Sequence, residues 1–177
     1  MLSIDINKIS IDERELLSRL GSYSDRVSVW ENRLRDSVCP LYTYKSVPVI
    51  DNGIDFGVFV SGNTLTRALD GCKNAYLFAV TLGSGADRVI KSASLLSALD
   101  GFVADAVASA MCEAVCDSVQ SLLPQKTKNR VSIGYGDIDI RLQKPFLEFL
   151  RAENITLTDS YLMVPTKSIT AIAGVKE

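Results

Sequence analysis

The stretch from Ser94 to Leu123 runs without a proline until Pro124 stops it, and no other part of the chain limits the fold as much. Leu95, Leu99, Phe102, Ala106, Ala110 and Ala114 step by three or four residues, which predicts one long helix with these side chains on its apolar face. Asp105, Ser109, Glu113 and Asp117 recur at every fourth position and predict a solvated polar stripe. The many Ala and Ser residues let neighbouring elements approach closely. A helix of this length needs a broad layer to pack on, and the flanking segments supply one. "NAYLFAVTLG" is continuously apolar and reads as a buried strand. "YTYKSVPVI" is strand-like but contains Pro48, which places it near an edge. "DNG" at 51–53 is a turn and "IDFGVFV" the returning strand, while "ITLTDSYLMVP" and "KSITAIAGV" read as two strands around "PTK". Shorter helices are predicted over Ile11–Leu20, from about Ser24 to Val38, over Thr64–Asp70 ending at Gly71, and over Leu142–Ala152 with Pro145 near its start. Hairpins combined with helices predict an α+β fold, a mixed or antiparallel twisted sheet with flanking helices including one long helix. The length of 177 residues suits a single domain over residues 1–177.

Composition then removes whole classes of function. The chain contains no histidine, which excludes Ser-His-Asp and Cys-His devices, histidine metal ligands and imidazole acid–base chemistry. Cys39, Cys72, Cys112 and Cys116 show no CxxC spacing. Cys112 and Cys116 are one helical turn apart, but without histidine they read as buried thiols and no metal site is expected. A net charge of −2 without a Lys/Arg run gives no reason to expect nucleic acid. "MLSIDINKIS" lacks the apolar core of a secretion signal, and apolar runs such as Ala75–Val80 are too short to span a bilayer, so a soluble, cytoplasmic protein without membrane association is expected.

Several short motifs invite chemistry. "TLGSGAD" follows a strand and opens a helix, but only G-x-G is present and Arg88 stands where a third glycine belongs, so a tight strand-to-helix turn is the better reading. Lys167, close to Pro165, reads as a solvated turn lysine. The carboxylates Asp105, Glu113 and Asp117 have the spacing of any exposed helix face. "RVSIGYGD" is more pointed. Arg130 provides a fixed planar cation, Gly134 and Gly136 allow a sharp turn or a close backbone approach, and Tyr135 between them has little to hide it. One reading is a strand end, a glycine turn and a cap by Asp137 or Asp139. The other is a carboxylate clamp with an aromatic lid.

Taken in order, "YLFAVTLGSGADRVI", "LDGFVADAVASAMCEAVCDSV", "RVSIGYGD" and "ITLTDSYLMVPTKSITAIAGV" resemble the activation domain of cobalamin-dependent methionine synthase. The resemblance spans residues 75–175, an activation-domain-like core, and leaves residues 1–70 as divergent N-terminal helices and a hairpin. Its most specific element is R-x-x-x-G-Y, here Arg130, Gly134 and Tyr135. The resemblance implies a groove that binds S-adenosylmethionine through Arg130, Ser132, Gly134, Tyr135, Gly136 and Glu113, with Tyr135 facing the corrin of a docked partner. It implies no catalytic residue in the chain itself. S-adenosylmethionine would be the bound cofactor, and cobalamin would be reached only through a partner, a cobalamin-binding methionine synthase or another corrinoid protein, with a separate reductant protein. Ser109 aligns where full-length synthases carry an acidic residue, with Glu113 one turn on. No match is evident for their N-terminal acidic contact, and none for a ligand-contacting tyrosine beyond the final strand before the chain ends at Glu177. The function expected is a stand-alone activation subunit for reductive remethylation, not catalytically complete alone. The alternatives are a direct S-adenosylmethionine-dependent methyltransferase, or a binding or scaffold module of the same fold without ligand.

Overall fold

The computed structural model describes residues 1–21 and 25–176; Ser24, the expected start of the second helix, lies outside the described residues. In chain order the strands are β1 (Leu2–Ser3), β2 (Leu41–Ile50), β3 (Gly53–Asp55), β4 (Phe59–Val60), β5 (Asn74–Thr81), β6 (Thr156–Leu157), β7 (Met163–Val164) and β8 (Ser168–Gly174). The helices are α1 (Glu13–Leu20), α2 (Arg26–Ser37), α3 (Asn63–Leu69), α4 (Ser84–Leu96), α5 (Ala98–Leu122) and α6 (Gln143–Leu150), with short 3-10 turns at Ile6–Lys8 and Ile140–Leu142. The main sheet runs β4-β3-β2-β5-β8, with β1 also paired to β2, and every pairing in it is antiparallel. The architecture is the expected α+β, a curled antiparallel sheet with six helices.

Alternation along β5 builds both layers around the sheet. Tyr76, Phe78 and Val80 point into a cluster with α1, α2, α4 and α5, while Ala75, Leu77 and Ala79 point to the opposite side among residues of α3 and α6. A strand covered on both faces has no use for polar positions, which is why its sequence is continuously apolar. Leu16, Val27, Trp30 and Leu34, all from the divergent N-terminal part, bury in the same cluster as Val103, Val107 and Met111 of α5.

Four sequence expectations change in the structure. Pro48 sits within an unbroken β2, the middle strand of the sheet rather than one near an edge. The Val49 amide donates to the Lys73 carbonyl on the β5 side (2.9 Å), so the Pro48 nitrogen faces the other side, where β3 begins pairing only at Val49. A missing donor there breaks no ladder bond. "IDFGVFV" divides into β3 and β4, turned where the Gly57 amide reaches the Asp55 carboxylate (2.8 Å). "ITLTDSYLMVP" is no single strand; β6 and β7 fold it into a small separate hairpin.

The fourth change is the long helix. Ser97 is extended (φ −163°, ψ 157°) and separates α4 from α5, and its hydroxyl accepts from the Asp100 amide (3.0 Å) as a cap. Because α4 and α5 are distinct helices, Leu95 lies off the α5 stripe, and within α5 that stripe is covered only from Ala106 onward. Ala106 and Ala110 are buried as expected, but Leu95 is 81% exposed and Leu99 and Phe102 are each 53% exposed. The Asp100 carboxylate pins α5 to α2: it accepts from Trp30 Nε1 (3.0 Å), Arg26 Nη1 (2.7 Å) and Ser97 Oγ (2.6 Å). Hydrogen bonds from Ser97, Arg26 and Trp30 lower its pKa to about 2.

Candidate functional site

The segment before the Gly-Tyr-Gly motif lies along the free edge of β8. The Lys128 amide donates to the Gly174 carbonyl (2.8 Å), and Val131 and Ile172 exchange amide–carbonyl bonds (2.9 and 2.8 Å). Val131 packs towards the α3–α6 side. Its neighbour Arg130 points the other way, onto α5, as period-two alternation requires.

There the guanidinium meets the polar stripe. Arg130 Nη2 donates to Glu113 (2.6 Å), and Nη1 donates to Asp117 and to Gln120 Oε1 (3.0 Å). Gln120 is held in turn by its amide, which donates to Thr127 Oγ1 (2.8 Å) and the Lys128 carbonyl (2.9 Å). Arg130 is 21% exposed at its side chain. Burial opposes its charge, but Cys116, Asp117 and Glu113 outweigh that and raise its pKa. Higher on the same stripe, Lys167 Nζ contacts Asp105 (2.8 Å) and Ser109 (2.9 Å). The stripe keeps the solvent contact expected of it, with Asp105 54% and Asp117 67% exposed, but two cations bridge it into a ladder, and Lys167 is a largely buried partner in it rather than a solvated turn residue.

A guanidinium has five N–H donors. Three are used by Asp117, Gln120 and Glu113, leaving Nε–H and one hydrogen on Nη2. No buried polar side-chain atom among the described residues lacks a partner, so the free Nε–H reaches solvent. Arg130 is thus oriented by its own chain and still has donors to offer. It borders a hollow of about 340 Å³ that Glu113, Asp117, Asp12 and Glu15 also line. Asp12 and Glu15 escaped the sequence reading because they belong to the start of α1, far from the motif in sequence.

The other end of "RVSIGYGD" is anchored elsewhere. Ile133 and Ile138 are buried in the α3–α6 layer, the Tyr135 amide donates to the Ser132 carbonyl (3.2 Å), and the Ile138 amide donates to the Tyr135 carbonyl (3.1 Å). Gly134 and Gly136 take left-handed φ of 86° and 62°, conformations that a side chain resists. Tyr135 is carried outward, 66% exposed. Asp137 caps a distant element: its carboxylate accepts from the amides of Asn63 (2.7 Å) and Thr64 (3.0 Å) at the start of α3. Hydrogen bonds from Thr64 and Asn63 hold it below the usual carboxylate range. Asp139 caps the short turn at Ile140–Leu142, accepting from the Arg141 amide (2.9 Å). The structure therefore joins Arg130 to Glu113. It places Ser132, Gly134, Tyr135 and Gly136 on a separate turn, with no hydrogen bond to Arg130 among the described residues.

Cys112 and Cys116 lie on the buried side of the same helix. Burial raises both thiols, Cys116 to about 12, so neither is a thiolate near neutral pH. Among the described residues no group of His, Cys, Asp or Glu is arranged to hold a metal ion, and no helix is long and apolar enough to cross a membrane.

The whole arrangement can be superposed on a known structure. The crystal structure of the MetH reactivation domain bound to AdoHcy matches with a TM-score of 0.72 over 98% of this chain and 77% of that one, at 12% identity. The fold is that of the MetH reactivation domain. The match covers 98% of the chain, so it is not confined to residues 75–175. No protein-family model and no curated protein matches by sequence.

Proposed function

We propose that this protein acts as an activation subunit that binds S-adenosylmethionine and presents its methyl group to the cobalamin of a partner, a methionine synthase or another corrinoid protein. The observation that supports it is Arg130: fixed by three partners, next to carboxylates, with two donors to spare. S-adenosylmethionine carries a carboxylate, an ammonium and a sulfonium. A guanidinium takes the carboxylate through parallel charge-assisted bonds. Glu113, with Asp117 and Asp12 nearby, complements the positive end. Ser132, Gly134, Tyr135 and Gly136 form the wall on which the rest of the ligand lies, and Tyr135 faces the docked corrin. The chain has no histidine to ligate cobalt, so cobalamin comes with the partner, and a separate protein supplies the electrons. The reduced cobalamin of the partner would supply the nucleophile for the sulfonium methyl, and Arg130, Glu113 and Tyr135 would hold the methyl donor in place for it. This chain's own contribution is proximity and orientation.

Titration calorimetry tests this directly. Saturable binding of S-adenosylmethionine is expected, weakened by roughly 2–5 kcal/mol in Arg130→Ala and partly restored in Arg130→Lys. No heat at millimolar ligand would overturn the reading. Tyr135→Ala should leave affinity nearly unchanged while slowing remethylation in the presence of the corrinoid partner; equal losses in both assays would return Tyr135 to the ligand pocket.

The internal pairing of Arg130 also favours a second reading, a scaffold module in which the cation is purely structural. Under that reading the unmutated protein binds no S-adenosylmethionine. A direct methyltransferase would instead methylate an acceptor with no corrinoid protein present.

A further inference from the structure

Beyond the Arg130 hollow, the protein concentrates positive charge in one place although its net charge is −2. A groove of about 730 Å³ is lined by Lys126, Asn129, Arg130 and Lys176, and an adjoining hollow of about 350 Å³ by Arg67, Lys128, Asn129 and Lys176. Asn129 and Lys176 belong to both. The cations come from three places in the chain: α3, the edge segment 126–130, and Lys176, two residues after β8. Backbone bonds hold them together, with the Lys176 amide on the Lys126 carbonyl (2.9 Å) and the Lys128 amide on Gly174 (2.8 Å). Lys128 Nζ also donates to the Asp70 carbonyl, which fixes its stem and leaves further donors free.

The groove does not balance its own charge. Among the described residues the lining contains a single carboxylate, Asp117, which Arg130 already neutralises. Arg67, Lys126 and Lys176 have no ion pair or side-chain hydrogen bond among the described residues. Gathering like charges costs energy, and a counterpart from outside relieves it. One compact anion cannot serve cations spread along two joined hollows; a linear chain of phosphoryl groups can. We propose that this groove binds a linear polyphosphate, either free or as the phosphate tail of a nucleotide. This ligand differs from the one proposed above; Arg130 and Asp117 border both this groove and the Arg130 hollow, and the cations that serve the phosphates are Arg67, Lys126, Lys128 and Lys176.

The test is titration of the full chain at low ionic strength with inorganic tripolyphosphate, ATP and adenosine. Saturable binding of tripolyphosphate and ATP, with none of adenosine, is expected. Equal affinities identify the free polyphosphate chain as the determinant, and tighter ATP binding identifies a nucleotide. Raising the ionic strength from about 0.01 to about 0.1 M shortens the screening length from roughly 30 to roughly 10 Å and should weaken binding severalfold. The triple variant Arg67→Gln, Lys126→Gln, Lys176→Gln should melt normally and lose at least tenfold in affinity. Absence of saturable binding, or full affinity in the triple variant, overturns the proposal. So does tighter binding of an oligoglutamate, which would assign the groove to an acidic protein segment.

Discussion

At its first turns α5 exposes Leu99 and Phe102, each 53% accessible, beside Leu95 and Leu96 of α4 at 81% and 67%. Further along the same helix, Glu113 is tied to Arg130, whose side chain is only 21% accessible. The apolar end faces water, whereas in the polar middle the cation is mostly covered while its partners Glu113 and Asp117 keep 37% and 67% of their side-chain exposure. Burial on this helix is set by the elements packed over it. The break at Ser97 separates α4 from α5 and leaves their junction bare on one side. The middle of α5 is overlaid by the sheet on one side and by the 126–131 edge segment with Arg130 on another. A bare apolar elbow of this kind is typical of surfaces that meet other proteins.

The largest effect is expected in the buried face between these regions. Met111 is fully buried, so Met111→Ala should cost about 3 kcal/mol in denaturant unfolding. A cost below about 1 kcal/mol would mean α5 is not the centre of the core. Next comes the polar middle. Arg130→Ala leaves Glu113 and Asp117 facing each other without a cation, and since both carboxylates keep solvent contact the cost should be about 1–2 kcal/mol rather than the full penalty of a buried pair. Unchanged stability would show that the ladder contributes nothing to folding and erase the contrast.

A smaller, pH-limited effect belongs to Asp100, which joins α2 to the start of α5. Its folded pKa is about 2 against an ordinary 3.8, so its stabilisation is fully present above pH 3.8 and fades as pH falls towards 2. Urea midpoints measured across that window should fall less steeply in Asp100→Asn than in the unmutated protein; parallel curves would show that Asp100 is not coupled to folding. The smallest effect is at the elbow. Phe102→Ser should change stability by no more than about 0.5 kcal/mol, and a larger loss would show that the elbow is packed.

Much of the fold was legible in the residues. The continuous apolar run of β5, the capped turns, the amphipathic α1 and a long helix ending at Leu122 all follow from local periodicity and from proline and glycine placement. So does the exclusion of histidine chemistry. The special backbone of Gly134 and Gly136 was also readable, because only glycine adopts such φ values without strain. Other features were decided only in three dimensions. Asp137 caps α3 from a distant part of the chain, Pro48 is harmless because its nitrogen faces away from β5, and Lys167 lies on Asp105 and Ser109. Arg130 was visible as a cation awaiting a partner, but that it grips Glu113, Asp117 and Gln120 depends on the 126–131 segment lying along β8 above α5. A sequence pattern reports which side of an element is apolar. Which charges meet depends on the packing of segments distant in the chain, and the one-dimensional order of residues does not contain that contact.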